Sequence, residues 1–134
     1  MRAKNQQRPT RTPKSYASST HVSQQPVLPL DSGARKNLPI TSGVLDYFPS
    51  AIAYIAAISK AGNDKHNPGQ PMHHARGKST DHADCIARHL LERGEVDLDD
   101  GLLHSGKLAW RALALLQEEL ERGGMAPLAR GARE

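Results

Sequence analysis

Cysteine is nearly absent. One residue, Cys85, in 134 excludes an internal disulfide and fits a reducing compartment, so the expected location is the cytoplasm. Aromatic residues are scarce as well: one Trp, one Phe and three Tyr. That leaves little surface on which nucleic-acid bases could stack. No apolar run approaches the roughly 18 residues that span a bilayer. No stretch alternates polar and apolar residues over five positions or more, so strands are not expected. The phosphate-cradling GxxxxGK[ST] loop is missing, and so is the GxSxG turn of serine hydrolases. Residues 1–30 hold no acid at all, only Arg2, Lys4, Arg8, Arg11 and Lys14 among the charged side chains. Prolines interrupt this segment and no amphipathic face runs through it, which argues against a transit peptide.

The formal net charge of +4 therefore belongs to the N-terminal segment. From Asn37 to Arg122 there are nine Lys/Arg and twelve Asp/Glu, a net charge of about −3. This divides the chain into a disordered basic tail at 1–36, a folded domain at 37–122 and a flexible end at 123–134. The tail reads as a solvated leader, or as an arm touching nucleic acid weakly through phosphates.

Three helices are predicted. The first is "PSAIAYIAAISKAG", with Pro49 at its first position and Gly62 as its stop. Ile52, Ile55, Ala56 and Ser59 share a face, and "SGVLDYF" before it reads as a short turn packing Val44 and Phe48. The second is capped by Ser79 or Thr80 and stopped by Gly94, with an apolar stripe of Ala83, Ile86, Ala87, Leu90 and Leu91. The third runs from Gly101 to Arg122, capped by Asp99 or Asp100. Its seam is Leu102, Gly106, Ala109, Leu113, Leu116 and Leu120, opposite a wet strip of His104, Lys107, Arg111, Glu118 and Arg122. An aperiodic loop of about 17 residues, "NDKHNPGQPMHHARGKST", joins the first two helices, and loops this long are commonly functional. The expected fold is all-α: a small bundle of three to four helices. A core this small is completed by oligomerisation to a dimer or tetramer.

The stretch "STDHADCIARHLLERGEVD" carries the chemistry. Asp81 and Asp84, three apart, can point at one hard cation such as Mg²⁺ or Mn²⁺, or can simply favour the helix N-terminus. Six of the seven histidines lie from His66 to His104. Lys65, Arg76, Lys78, Arg88 and Lys107 fall in the same window, with the acids of "GEVDLDDG". Carboxylates for a cation, cations for phosphates and histidines for protons are what a nucleotide site requires. No structural-zinc spacing is present.

The segments "GVLDYFP", "GNDKHNPG" and "RHLLERGEVDLDDGLLHSGKLAWRAL", in that order, resemble the phage dATP/dGTP diphosphohydrolase N-terminal domain family. The resemblance covers Ala34 to Leu120. It implies an all-α, MazG-like pyrophosphohydrolase that uses Mg²⁺ or Mn²⁺ and splits purine deoxynucleoside triphosphates into monophosphate and pyrophosphate. In phages such enzymes remodel the nucleotide pool of the host cytoplasm. Matching positions are Asp46, Lys65, Asn67, Arg88, His89, Asp97, Gly101, His104 and Trp110. The resulting site has Asp81 and Asp84 on metal, helped by Asp46 or Asp97. Lys65, Asn67, Lys78, Arg88 and Lys107 lie on phosphate or nucleotide, with His89 and His104 as catalytic groups. The family's acidic pair on the first helix is missing, since no acid lies between Pro49 and Gly62. An inactive relative that binds nucleotide or a replication protein is therefore the alternative, and a nucleic-acid-binding accessory is a third.

Overall fold

Two helices pack against a third, central one. The computed structural model describes residues 26–133. The basic arm from Arg2 to Lys14 lies outside them. Helix α1, Ser32–Lys36, is started by Asp31, whose side chain accepts the Ala34 N–H at 2.7 Å. This helix occupies the last five residues of the segment assigned to the tail. A short π-helix, Thr41–Leu45, forms in the "SGVLDYF" stretch. Val44 and Phe48 stay exposed there instead of packing.

Helix α2 runs Pro49–His66 and starts at Pro49 as predicted. It does not stop at Gly62. Glycine costs a helix interior only about 1 kcal/mol relative to Ala, so packing can override it. Here the override comes from the next residue. Asn63 is buried, its Nδ2 donates to Gln70 O at 3.0 Å, and its Oδ1 accepts the His73 N–H at 3.0 Å. The extra turn thus anchors the loop that follows. The helix ends at Asn67 before Pro68, and Gly69 takes the left-handed backbone at φ 73°.

Helix α3 is His82–Leu91 and α4 is His104–Arg122. Neither has a side-chain cap. Ser79 and Thr80 lie before Asp81, which precedes α3 without capping it. Asp97 and Asp100 instead fold the connection between α3 and α4. Asp97 Oδ1 accepts the Asp99 N–H at 2.9 Å, and Asp100 Oδ1 accepts the Leu102 N–H at 3.0 Å. These turns delay α4 to His104, three residues beyond Gly101, which takes φ 71°. An isolated bridge pairs Val96 with Leu103, and the His104 N–H donates to Glu95 O at 3.0 Å. The start of α4 is thereby held beside the end of α3.

α4 packs against both α2 and α3. Against α2 the approach is close at Gly106. A methyl there would lie 2.7 Å from two ring carbons of Tyr54, and the Tyr54 hydroxyl accepts the Leu103 N–H at 2.8 Å. Inward on α2 are Tyr54, Ile55, Ile58 and Ser59, while Ile52 and Ala56 are exposed. Against α3 the packing is polar, opposite to expectation. His82 and Cys85 are buried and His89 is half-buried; of the expected stripe only Ile86 is half-buried, whereas Ala83, Ala87, Leu90 and Leu91 are exposed, Leu91 by 82%. The expected wet strip of α4 is the strip that meets them: His104 is buried and Lys107, Arg111 and Glu118 are half-buried. The expected seam is open in its middle, with Leu113 50% and Leu116 51% exposed.

Residues after α4 bond back to the rest of the domain. Glu121 accepts the Ala129 N–H at 2.7 Å, and Arg130 Nη2 donates to Met72 O at 2.8 Å. A short helix, α5, occupies Arg130–Arg133. The structure is all-α, with five α-helices and no strand among the described residues. No described helix is long and apolar enough to cross a membrane. The buried apolar side chains among these residues are Ile58 and Cys85.

Candidate functional site

The α3–α4 contact is built from ring nitrogens, carboxylates and guanidinium groups. His82 Nε2 lies 3.2 Å from Glu118 Oε1, and its Nδ1 lies 3.4 Å from Arg111 Nη1. About two turns further along α3, and about two turns back from Arg111 on α4, His89 Nδ1 and His104 Nδ1 are 2.9 Å apart. Glu92 Oε2 stands 3.4 Å from the same His104 nitrogen. Burial holds the His89 imidazole below the usual histidine range, and the neighbouring His104 and Lys107 act in the same direction. His89 is therefore neutral near pH 7 and has a nitrogen free of charge to accept a proton.

Beside this contact opens a cleft of about 580 Å³, between α2, the 67–81 loop and α4. Its size suits a small organic ligand. Lys65 and Asn67 enter it from the end of α2, and Lys78 from the loop. Asp97, Asp100, Lys107 and Arg111 enter from the α4 side, and His89 from α3. Four cations thus face two carboxylates. Both carboxylates are spoken for: Lys107 Nζ is 2.7 Å from Asp97 Oδ2 and 2.7 Å from Asp100 Oδ2. The Lys107 ammonium beside Asp97 holds that carboxyl down at about 2, and Asp100 is lowered by the same group. Burial draws Lys107 down, but its bonds to Asp100 and Asp97 outweigh this and raise it. Lys65 and Lys78 have no acidic partner among the described residues. His74 and Trp110 meet edge to face at 4.7 Å and supply the flat, less polar wall.

Two links hold the loop that carries Lys78. The Arg76 guanidinium grips Glu121 on α4, with Nη2 at 3.2 Å from Oε1 and Nη1 bonded to Oε2. Asn63 holds the other end, as described above. Arg76 holds the Glu121 carboxyl at about 2; burial opposes this, while the Ala129 N–H and Gln117 assist.

Of the residues singled out from the sequence, Lys65, Asn67, Lys78, His89, Asp97 and Lys107 line this one cleft, and His104 backs it through His89. The rest lie elsewhere. Asp46 is an exposed residue after the π-helix. Asp81 precedes α3 and is bonded by Arg88 Nη2 at 3.1 Å, which lowers its carboxyl. Arg88 does not line the cleft either. Asp84 is exposed on the first turn of α3. Asp81 stands at the N-cap of α3 and Asp84 in its first turn, and neither lines the cleft. Among the described residues the group with metal-ligand reach is His89, Glu92 and His104, not these carboxylates.

A family model described as dATP/dGTP diphosphohydrolase, N-terminal, matches residues 32–127. The chain belongs to that family. No curated protein and no solved structure gives a match to it. The match starts at α1 and ends past α4 in the turn before α5, so it covers every element that walls the cleft. Within this domain, three pairings that shape the site are not legible in the sequence: Glu92 with His104, Asp100 with Lys107 and Arg76 with Glu121. Asp100 had been read as a helix cap. Arg76 and Glu121 are 45 residues apart, and no periodicity connects them. Glu92 has a signal toward His89 alone, since it lies three residues after it.

Proposed function

We propose that the cleft binds the triphosphate of a purine deoxynucleoside triphosphate. In this reading the domain serves its hydrolysis to monophosphate and pyrophosphate. The observation that carries it is the pair Lys65 and Lys78, cations without an acidic partner among the described residues that line one cleft from the end of α2 and from the loop after it. Lys107 and Arg111 lie beside them, giving the cleft an excess of positive charge inside an otherwise acidic domain. A triphosphate supplies the missing negative charge. The His74–Trp110 wall offers a face for the base. His89, kept neutral by burial, is the group suited to take a proton from water. The family description, which names dATP and dGTP, supports the choice of nucleotide.

The family resemblance implies Mg²⁺ or Mn²⁺ for this hydrolysis. The carboxylates fit a resident Mg²⁺ poorly. Asp97 is committed to Lys107, Asp81 to Arg88, and Asp84 and Asp46 stand apart. No protein-held magnesium is therefore used in the reading; the ion enters with the phosphates it neutralises. The same dispersal of carboxylates favours a second reading, in which the domain binds nucleotide without turning it over.

The test uses the full chain with dATP, dGTP and their non-hydrolysable analogues. Micromolar to millimolar binding is expected, weakened about tenfold by Lys65→Ala with Lys78→Ala, since each lost phosphate contact is worth roughly 1 kcal/mol or less in water. Pyrophosphate release with Mg²⁺ or Mn²⁺ separates hydrolysis from binding alone. Absence of nucleotide binding at millimolar concentration refutes both.

A further inference from the structure

The end of α3 and the start of α4 bring three ligand atoms to one point. His89 is in the last turn of α3, Glu92 is the residue that ends that helix, and His104 is the first residue of α4. Their ligand atoms all lie within 4.8 Å of one another. The two imidazole rings are tilted by only 36°, with centroids 5.2 Å apart, so they meet nearly edge to edge. Nitrogen faces nitrogen at 2.9 Å. Two nitrogens bound at about 2.05 Å to one ion, at right angles, stand about 2.9 Å apart. The spacing matches adjacent positions around an octahedral ion, which takes the place of the proton now shared head-on once the rings turn their lone pairs toward it. The backbone fixes it, through the Val96–Leu103 bridge and the bond from His104 N–H to Glu95 O.

We propose that His89, Glu92 and His104 form a two-histidine, one-carboxylate site for a transition-metal dication of the Mn²⁺, Co²⁺, Ni²⁺ and Zn²⁺ class. Imidazole nitrogens select these ions over Mg²⁺ and Ca²⁺, which take oxygen. The carboxylate contributes charge and leaves the remaining coordination positions to water or an outside ligand. Glu92 is 60% exposed and His104 11%, so the site is open on the glutamate side and closed on the other. His89 also lines the cleft, which puts the ion at its rim. The neighbouring histidine does not qualify. His82 already has Glu118 on one nitrogen and Arg111 on the other. The proposal does not rest on nucleotide binding.

The experiment uses the full chain without any histidine tag and reads metal binding alone. Co²⁺ is titrated with its visible absorption recorded, and Mn²⁺, Zn²⁺ and Mg²⁺ are titrated by calorimetry. One equivalent of Co²⁺ is expected to bind with ligand-field bands of nitrogen and oxygen donors, at least about a hundredfold tighter than Mg²⁺. Glu92→Gln and His89→Ala alter exposed or half-buried side chains and leave the fold intact by circular dichroism. Each is expected to weaken Co²⁺ about tenfold or more and to change its spectrum. His104→Gln removes a buried ring; if it does not fold, the first two variants decide. No saturable Co²⁺ or Zn²⁺ binding by the parent overturns the proposal. So does binding that Glu92→Gln and His89→Ala leave unchanged, which assigns the metal to His66, His73 or His74 in the cleft. Either failure leaves the nucleotide reading standing.

Discussion

Replacing Glu121 with Gln tests whether the Arg76 clamp holds the loop in place. The side chain is 5% exposed and collects four bonds: two from Arg76, one from Gln117 Nε2 at 2.9 Å and one from the Ala129 N–H at 2.7 Å. Gln keeps the shape and one acceptor, but turns an amide N–H₂ toward the guanidinium. Arg76 is then left as a cation only 18% exposed, with an Nε that already has no partner. Hydrogen bonds to charged groups are worth about 1.5–3 kcal/mol each, and part of the set survives in Gln. We expect a loss of about 2–3 kcal/mol, a large share of a small domain's total. Urea melts followed by circular dichroism at pH 7 measure it. The pH dependence gives a second check. The folded carboxyl sits at about 2, below the ordinary 4.5, so its contribution is complete above about 4.5 and lost as pH falls toward 2. The gap between parent and variant should therefore shrink steadily on acidification from pH 5. A difference below about 0.5 kcal/mol at pH 7, or a gap that stays constant down to pH 3, refutes the clamp as a stabilising element.

Three further outcomes are expected. Gly106→Ala should destabilise by about 1 kcal/mol in urea melts. Overpacking Tyr54 costs about 1–3 kcal/mol, and the better helix propensity of Ala returns about 1; a net gain would mean that the Tyr54 ring moves freely. Asp97→Asn should leave Lys107 with one carboxylate and tighten dGTP binding about threefold, by removing one negative charge from the cleft; weaker binding in calorimetry would make Asp97 a ligand of the nucleotide rather than of Lys107. Sedimentation of the parent at micromolar concentration should give at least a dimer, and Leu113→Asp a monomer, because Leu113 and Leu116 stay half-exposed in the single chain and a second copy of the same open seam can cover them; a monomeric parent of ordinary stability refutes this.

The elements were legible and their faces were not. Pro49 marked the start of α2, and the spacing of apolar residues along α4 fixed its identity and its C-terminal end. Gly62 misled because a glycine stop is a local signal, and a buried side chain at Asn63 outweighs it. The facing of α3 misled for a larger reason. A helical wheel turns apolar residues inward by assumption, yet His82, Cys85 and His89 go inward here. The polar strip of α4 offers each histidine a matched partner, which a pattern of hydrophobicity cannot register. The cleft residues were found by type and proximity in sequence. The aspartate pair was placed by spacing alone, which gives no sign that Arg88 reaches back to bond Asp81.

That inverted facing carries the functional argument. Burying an imidazole in place of a leucine gives up apolar transfer energy and incurs a desolvation cost of about 1–3 kcal/mol unless each polar atom is paired. His82 is paired on both nitrogens. His89 and His104 are paired at Nδ1 only with each other, one ring donating to the other, with a carboxylate 3.4 Å from His104. A chain stabilised by its own contacts alone would turn Leu90 and Leu91 into this position. It instead places them on the surface and holds the histidines at the cleft rim, beside four cations. The arrangement is satisfied when something outside the single chain arrives: a cation between the histidines, anionic phosphate on the lysines, and an apolar surface over the leucines. Each has its own readout in the experiments above, so each can fail alone. A domain whose polar groups were inward for stability only would bind none of the three and would melt no differently in their presence.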